Sequence, residues 1–257
     1  MQRVRSSIIT FFISGLVAFP AFALNSVTVL GDKSMNMAIV KIAREYSASK
    51  NVVVNTSFVS PEQQEAQILE GGAADILITP RVEWIEELKL QGLLDIYSQM
   101  ELAKNRLVFI GPMDSAIAPN LTIGFPTASI IRAIGWEQGF MVGNPQYMAD
   151  GAYAKDALRN MNASEDLEQY TLYIKRPDQI AGMVRGRGAY GVFFQSTVRD
   201  MEGVKVLDVL PEELHQPMQY YAVVIAGNNM DEARKFMDYL RSKESRRLLI
   251  NNGYVVN

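Results

Sequence analysis

Strand-like and helix-like stretches alternate along most of the chain, and that alternation limits it to few architectures. Residues 26–30 (SVTVL), 51–58 (NVVVNTSF), 74–79 (ADILIT), 106–110 (RLVFI), 170–174, 189–194 (AYGVFF), 204–210 and 220–226 (YYAVVIA) read as strands, with 121–124 as a further candidate. Between them, residues 35–47 place Met37, Ile39, Val40, Ile42, Ala43 and Tyr46 at helical spacing. Helices are also predicted over 61–70, with Pro61 in its first turn, and over 83–91, 151–160 and 177–185. A long C-terminal helix is predicted over 231–251. Gly71-Gly72 and Gly92 stop two of these helices, and 112–119 reads as loop. Strands alternating with helices imply an α/β fold with mostly parallel sheets. In such sheets ligands bind beyond the carboxyl ends of the strands, against helix N-termini whose free N–H groups and partial positive charge suit anions. Three loops have that form: Gly31-Asp32-Lys33-Ser34, residues 57–61, and residues 147–151.

The start of the chain bears on where it works. Arg3 and Arg5 precede an almost wholly apolar run over residues 8–22, and Ala21-Phe22-Ala23 fits the small-x-small exit. This predicts a secretory signal peptide over residues 1–23, with Leu24 opening the exported chain. The apolar run is shorter than the roughly 20 residues that a bilayer span needs. The chain has 25 basic and 28 acidic side chains, a mildly acidic balance that gives no reason to expect nucleic acid as a partner. It has no cysteine, so neither disulfides nor a lipid-bearing thiol would hold it, and a periplasm is the expected compartment.

The same counts bear on chemistry. With one histidine and no cysteine, a transition-metal site is not expected, and neither is Cys–His catalysis. His215 lies in Pro211-Glu212-Glu213-Leu214-His215-Gln216-Pro217, read as an exposed loop. No G-x-S-x-G elbow, P-loop or H-E-x-x-H is present. Neither catalysis nor a cofactor is therefore expected from these residues. Trp84, Trp136, Tyr190 and Phe193 are expected in the core, as are most of the 13 methionines.

Four stretches together resemble the periplasmic molybdate-binding proteins of ABC importers. They are Val27-Thr28-Val29-Leu30 with Ser34, residues 67–78 (QILEGGAADILI) followed by Trp84, Gly143-Asn144-Pro145 with residues 151–158 (GAYAKDAL), and Lys205-Val206 through Pro211-Glu212 and His215 to residues 220–224. The resemblance implies a type II two-lobed binding fold, each lobe a mostly parallel sheet flanked by helices. One lobe would be residues 24–108 plus 220–257, and the other residues 109–219, with 106–110 and 220–224 as crossing strands. It further implies hinge closure over a ligand, docking on an inner-membrane permease and a monomeric state.

That family binds a tetrahedral oxyanion, molybdate or tungstate, through serine hydroxyls, backbone N–H groups and a tyrosine hydroxyl. Carried onto this chain, the first serine falls on Ser34. The second falls on Pro61, with Ser60 beside it as the available hydroxyl. The backbone contacts fall near Asp150 and Arg176, and the tyrosine falls on Phe194. Ser34, Ser60, Asp150, Arg176 and Phe194 are therefore the candidate ligand-binding residues. Asp32 and Asp150 are expected either on the solvated rim or paired with Lys33, Lys175 or Arg176. If they line the cleft, an organic or zwitterionic solute becomes the alternative ligand. An exported sensor or interaction domain is the alternative outside transport.

Overall fold

A computed structural model describes residues 25–135, 139–227 and 229–256. The predicted signal peptide, Leu24 and Trp136 lie outside the described residues. The strands form two five-stranded sheets. The first contains β1 (Ser26–Asp32), β2 (Val53–Val59), β3 (Ile76–Thr79), β4 (Met100–Lys104) and β10 (Gln219–Val224), in the order β2-β1-β3-β10-β4. The second contains β5 (Leu107–Pro112), β6 (Phe140–Gly143), β7 (Thr171–Ile174), β8 (Tyr190–Phe194) and β9 (Val204–Val209), in the order β7-β6-β8-β5-β9.

The sheets are more mixed than the alternating pattern suggests. In each, three strands run parallel: β2, β1 and β3 in one, β7, β6 and β8 in the other. The remaining pairs, β10 with β3 and β4, and β5 with β8 and β9, are antiparallel. The antiparallel strands flank the two passages of the chain between sheets, where it turns back instead of crossing over a helix.

Helices cover both sheets. The first sheet carries α1 (Asn36–Lys50), α2 (Pro61–Leu69), α3 (Val82–Leu90), α9 (Met230–Leu240) and α10 (Lys243–Asn251). The second carries α4 (Thr127–Ile134), α5 (Asp150–Asn160), α6 (Ser164–Glu168), α7 (Asp178–Arg187) and α8 (Gln195–Val198). Successive strand residues point to opposite faces, and the core divides accordingly. Val27 and Val29 join Ile39 and Ile42 of α1, while Leu30 joins Leu77, Trp84 and Leu88 on the other face. In β5, Leu107 and Phe109 pack with Phe140 and Ala154, whereas Val108 and Ile110 pack with Ile180 and Val184 of α7. Trp84, Tyr190, Phe193 and Met35 are buried as expected, but Met37 is exposed.

Several local readings need correction. The long C-terminal helix is two helices, because Ser242 takes an extended conformation and its hydroxyl accepts the Ser245 N–H to cap α10. Residues 121–124 form no strand; Leu121 is anchored by its N–H to the Asp208 carboxylate at 2.9 Å. The segment over residues 125–140, opaque to the sequence, contains α4, and β4 and β6 also lacked a readable pattern.

The two sheets meet where the chain passes between them. Asn105 donates to the Ser196 hydroxyl at 2.8 Å, and the Gln195 N–H donates to the Arg106 carbonyl at 2.8 Å. Gly253, at φ +87°, lies against the backbone of Gln195 and Ser196.

The approach of β6 to α5 is closer still. A Cβ on Gly151 would stand 2.1 Å from the Gly143 carbonyl oxygen, and one on Gly143 would stand 2.3 Å from Asp150 Oδ1. Only glycine fits either place. Gly151→Ala should destabilise the protein by about 1–3 kcal/mol, as overpacking against fixed backbone does. Chemical denaturation of the variant beside the parent chain checks this.

Candidate functional site

Five helix starts converge on one cleft of about 440 Å³. Asp32, Lys33 and Ser34 come from the end of β1 and the 3-10 turn that leads into α1. Ser60 and Glu62 come from the start of α2. The loop over residues 145–150 precedes and opens α5, Pro177 precedes α7, and Phe194 and Thr197 belong to the start of α8. All of these lie at the carboxyl ends of parallel strands, where a doubly layered α/β fold presents unsatisfied N–H groups.

The Asp32 side chain caps the first of these starts. Its Oδ1 accepts the Ser34 N–H at 2.9 Å and also bonds the Ser34 hydroxyl. Ser34 Oγ lies 2.6 Å from the Tyr220 hydroxyl of β10, and the Tyr254 hydroxyl donates to the Ser34 carbonyl at 2.5 Å. Asp32 is only 5% exposed and makes no ion pair among the described residues. Burial pushes its carboxyl above the usual carboxylate range, against the opposing pull of the Ser34 hydrogen bonds. Burial likewise pushes the Tyr220 hydroxyl well up and the Tyr254 hydroxyl to about 12, so both stay protonated donors.

Ser60 caps α2 in a reciprocal box: its hydroxyl accepts from the Gln63 N–H, and the Gln63 side chain accepts from the Ser60 N–H at 3.2 Å. Glu62 sits on the same helix start. Its own backbone N–H, then the Ser60 hydroxyl, hold its carboxyl below the ordinary range. Pro61, the first residue of α2, has no N–H to offer.

Asp150 opens α5 and is 1% exposed. Its Oδ2 accepts the Phe194 N–H at 3.3 Å and the Thr197 hydroxyl at 3.2 Å. Its Oδ1 is buried without a hydrogen-bond partner. Burial pushes this carboxyl up to about 6, and the two hydrogen bonds only partly offset the shift.

The structure thus brings Ser34, Ser60, Asp150 and Phe194 to one cleft but leaves Arg176 outside it. The Arg176 side chain is 70% exposed and bidentate to Asp178, with Nε and Nη2 at 3.1 and 3.0 Å. The expectation that Asp32 and Asp150 are rim residues or pair with cations is overturned. Both are buried, and both are held by hydroxyl and N–H donors instead. Lys175 reaches over the Tyr147 ring at 5.5 Å. Phe194 is buried at a tilt against Tyr153, with ring centroids 5.6 Å apart, and its contribution to polar contacts is its N–H.

His215 is not the exposed histidine the loop suggested. It is 9% exposed and meets the Tyr153 ring edge-on, and its Nδ1 lies 2.8 Å from the Gln216 carbonyl. It does not line the cleft. Sequence reasoning missed Glu62, Thr197 and Tyr220. The one available signal was Glu62 in the first turn of a predicted helix, where acidic residues collect.

A two-sheet α/β fold with its cleft at helix N-termini defines a class of solute receptor. The chain belongs to the bacterial extracellular solute-binding protein family, whose model matches residues 27–255. It is 26% identical over 260 residues to the molybdate-binding protein ModA of Haemophilus influenzae, covering 99% of each chain. It is also 26% identical to ModA of Escherichia coli, covering 90% of this chain and 89% of that one. Among solved structures, the substrate-binding domain of a putative molybdenum ABC transporter from Clostridium difficile superposes with a TM-score of 0.75. That match has 23% identity and covers 90% of this chain and 99% of the other.

Asp150 and Asp32 set a pH dependence. Each carboxyl is raised in the folded state, so the folded chain binds more protons than the unfolded one between the ordinary and the raised values. Stability is therefore highest when they are protonated and falls as pH rises from about 4 through about 6. At about 1.4 kcal/mol per pKa unit, Asp150 should account for a loss on the order of 2–3 kcal/mol. Denaturation midpoints between pH 4 and 7.5 should show this slope, and Asp150→Asn should flatten it.

Proposed function

We propose that the chain is the periplasmic receptor of an ABC importer and binds a tetrahedral oxyanion, molybdate, tungstate or a related ion, in this cleft. The observation that carries the reading is the convergence on one cleft of helix starts from both sheets, those at Ser34 and Ser60 of the first and those of α5 and α8 of the second. Neutral donors at helix N-termini stabilise an anion while leaving release possible. The two relatives bear the name molybdate-binding protein, which supports the same class of ligand. The sheet assignments support two lobes joined by the passages over residues 104–107 and 209–219, close to the boundaries expected at 108 and 220. Closure about these passages would bring the α5 and α8 starts onto the ligand, and the closed monomer would dock on the membrane permease.

A solute that brings its own hydrogen-bond donors is the second reading. It is favoured by the three carboxylates, Asp32, Glu62 and Asp150, that line the cleft beside the cation Lys33.

Isothermal titration calorimetry of the exported chain with molybdate, tungstate, sulfate and phosphate tests the proposal. At least one should bind with a stoichiometry near one, and Ser34→Ala should weaken it at least tenfold. No heat with any of them would overturn the oxyanion reading. Arg176→Ala should leave the affinity within a factor of about two, as expected for an exposed pair away from the cleft.

A further inference from the structure

The oxyanion reading, on which this inference rests, can be narrowed to a charge state. The hydroxyls that line the cleft already serve carboxylates of the chain: Ser34 bonds Asp32, Thr197 donates to Asp150, and Ser60 lies against Glu62. Phe194 brings no hydroxyl where the resemblance placed a tyrosine. Sulfate, molybdate and tungstate carry no proton at neutral pH, so they present only acceptors. In this cleft they would meet the carboxylates of Asp32 and Glu62, while Asp150 Oδ1 is enclosed against Gly143. Asp32 matters most, because its Oδ1 is taken by Ser34 while no described residue donates to its Oδ2, and that oxygen is not sealed inside the protein as Asp150 Oδ1 is. A buried acceptor facing another acceptor is repulsive and unsatisfied. A ligand that keeps a proton turns the same oxygen into one partner of a short, charge-assisted hydrogen bond.

We infer that the cleft selects tetrahedral oxyanions that retain a proton at neutral pH, the hydrogen phosphate class, with Asp32 Oδ2 accepting the ligand O–H. Lys33, which lines the same wall and makes no ion pair among the described residues, supplies positive charge for the remaining oxygens. Selectivity against fully ionised oxyanions then comes from an unpaired acceptor rather than from size. A site that leaves a buried polar group unpaired rejects the wrong ligand strongly.

The test is calorimetry of the exported chain at pH 7.5 with inorganic phosphate, molybdate and sulfate. Phosphate should bind at least tenfold tighter than either of the others. Asp32→Asn, which offers an N–H in place of an acceptor, should narrow or reverse that ratio at least tenfold. Molybdate binding as tightly as phosphate or more tightly in the parent chain would overturn the inference and leave the oxyanion reading standing. A phosphate preference that Asp32→Asn leaves intact would overturn the role of Asp32. No heat with any of the three, in a chain shown folded by circular dichroism, would overturn both readings together. The ranking in the parent chain stands as a test even where the variant does not fold.

Discussion

The contact between Asp32 and Ser34 is where fold and site become one problem. Asp32 ends the central strand of the first sheet's parallel half, and its side chain caps the turn that starts α1. Without that cap the first N–H groups of the turn would lie buried and unsatisfied beside the cleft. The capped serine is held from two further directions, by Tyr220 on the antiparallel strand β10 and by Tyr254 near the C-terminus. Three parts of the sequence therefore fix one serine, two at its hydroxyl and one at its carbonyl. The same carboxylate that stabilises the turn forms the wall that a ligand must face.

This arrangement repeats in outline at the other helix starts. Glu62 sits over the first turn of α2, and Asp150 bonds the N–H and hydroxyl at the start of α8. The starts of α1, α2 and α5 each carry an internal carboxylate, and among the described residues none of the three forms an ion pair. Burying such groups raises the carboxyls of Asp32 and Asp150, which stores a cost that a proton-donating ligand relieves. The passages between sheets lie next to this network, since Asn105 bonds Ser196, the residue before Thr197. Occupancy of the cleft and the geometry of the passages thus share neighbouring residues.

Much of the fold was legible because its strands and helices carry strong, separate periods. Val27, Val29 and Leu30 alternate between two cores, and the glycines at 71 and 92 take positive φ where two helices stop. The elements that escaped are those whose pattern is weak. β6 is four residues long, and β4 (MELAK) carries two charged side chains in five. The break between α9 and α10 was signalled by Ser242, but the apolar spacing runs through it and hides the cap. The loops that hold Ser34 and Ser60 were legible because a helix start is a local feature, and the resemblance then singled out the two serines. The burial of Asp32, Asp150 and His215 was not, because burial depends on what another part of the chain lays over a residue. Arg176 shows the reverse: its partner, Asp178, is two residues away, and a local pair of that kind keeps the guanidinium in solvent.

The decisive measurement is a crystal structure of residues 24–257 grown with inorganic phosphate. A self-capped cleft that accepts a protonated ligand predicts one phosphate oxygen about 2.5–2.7 Å from Asp32 Oδ2, with the Ser34 cap intact. A phosphate oxygen bonded to the Ser34 N–H with the Asp32 carboxylate swung out to solvent, or a cleft that holds no phosphate, would contradict it.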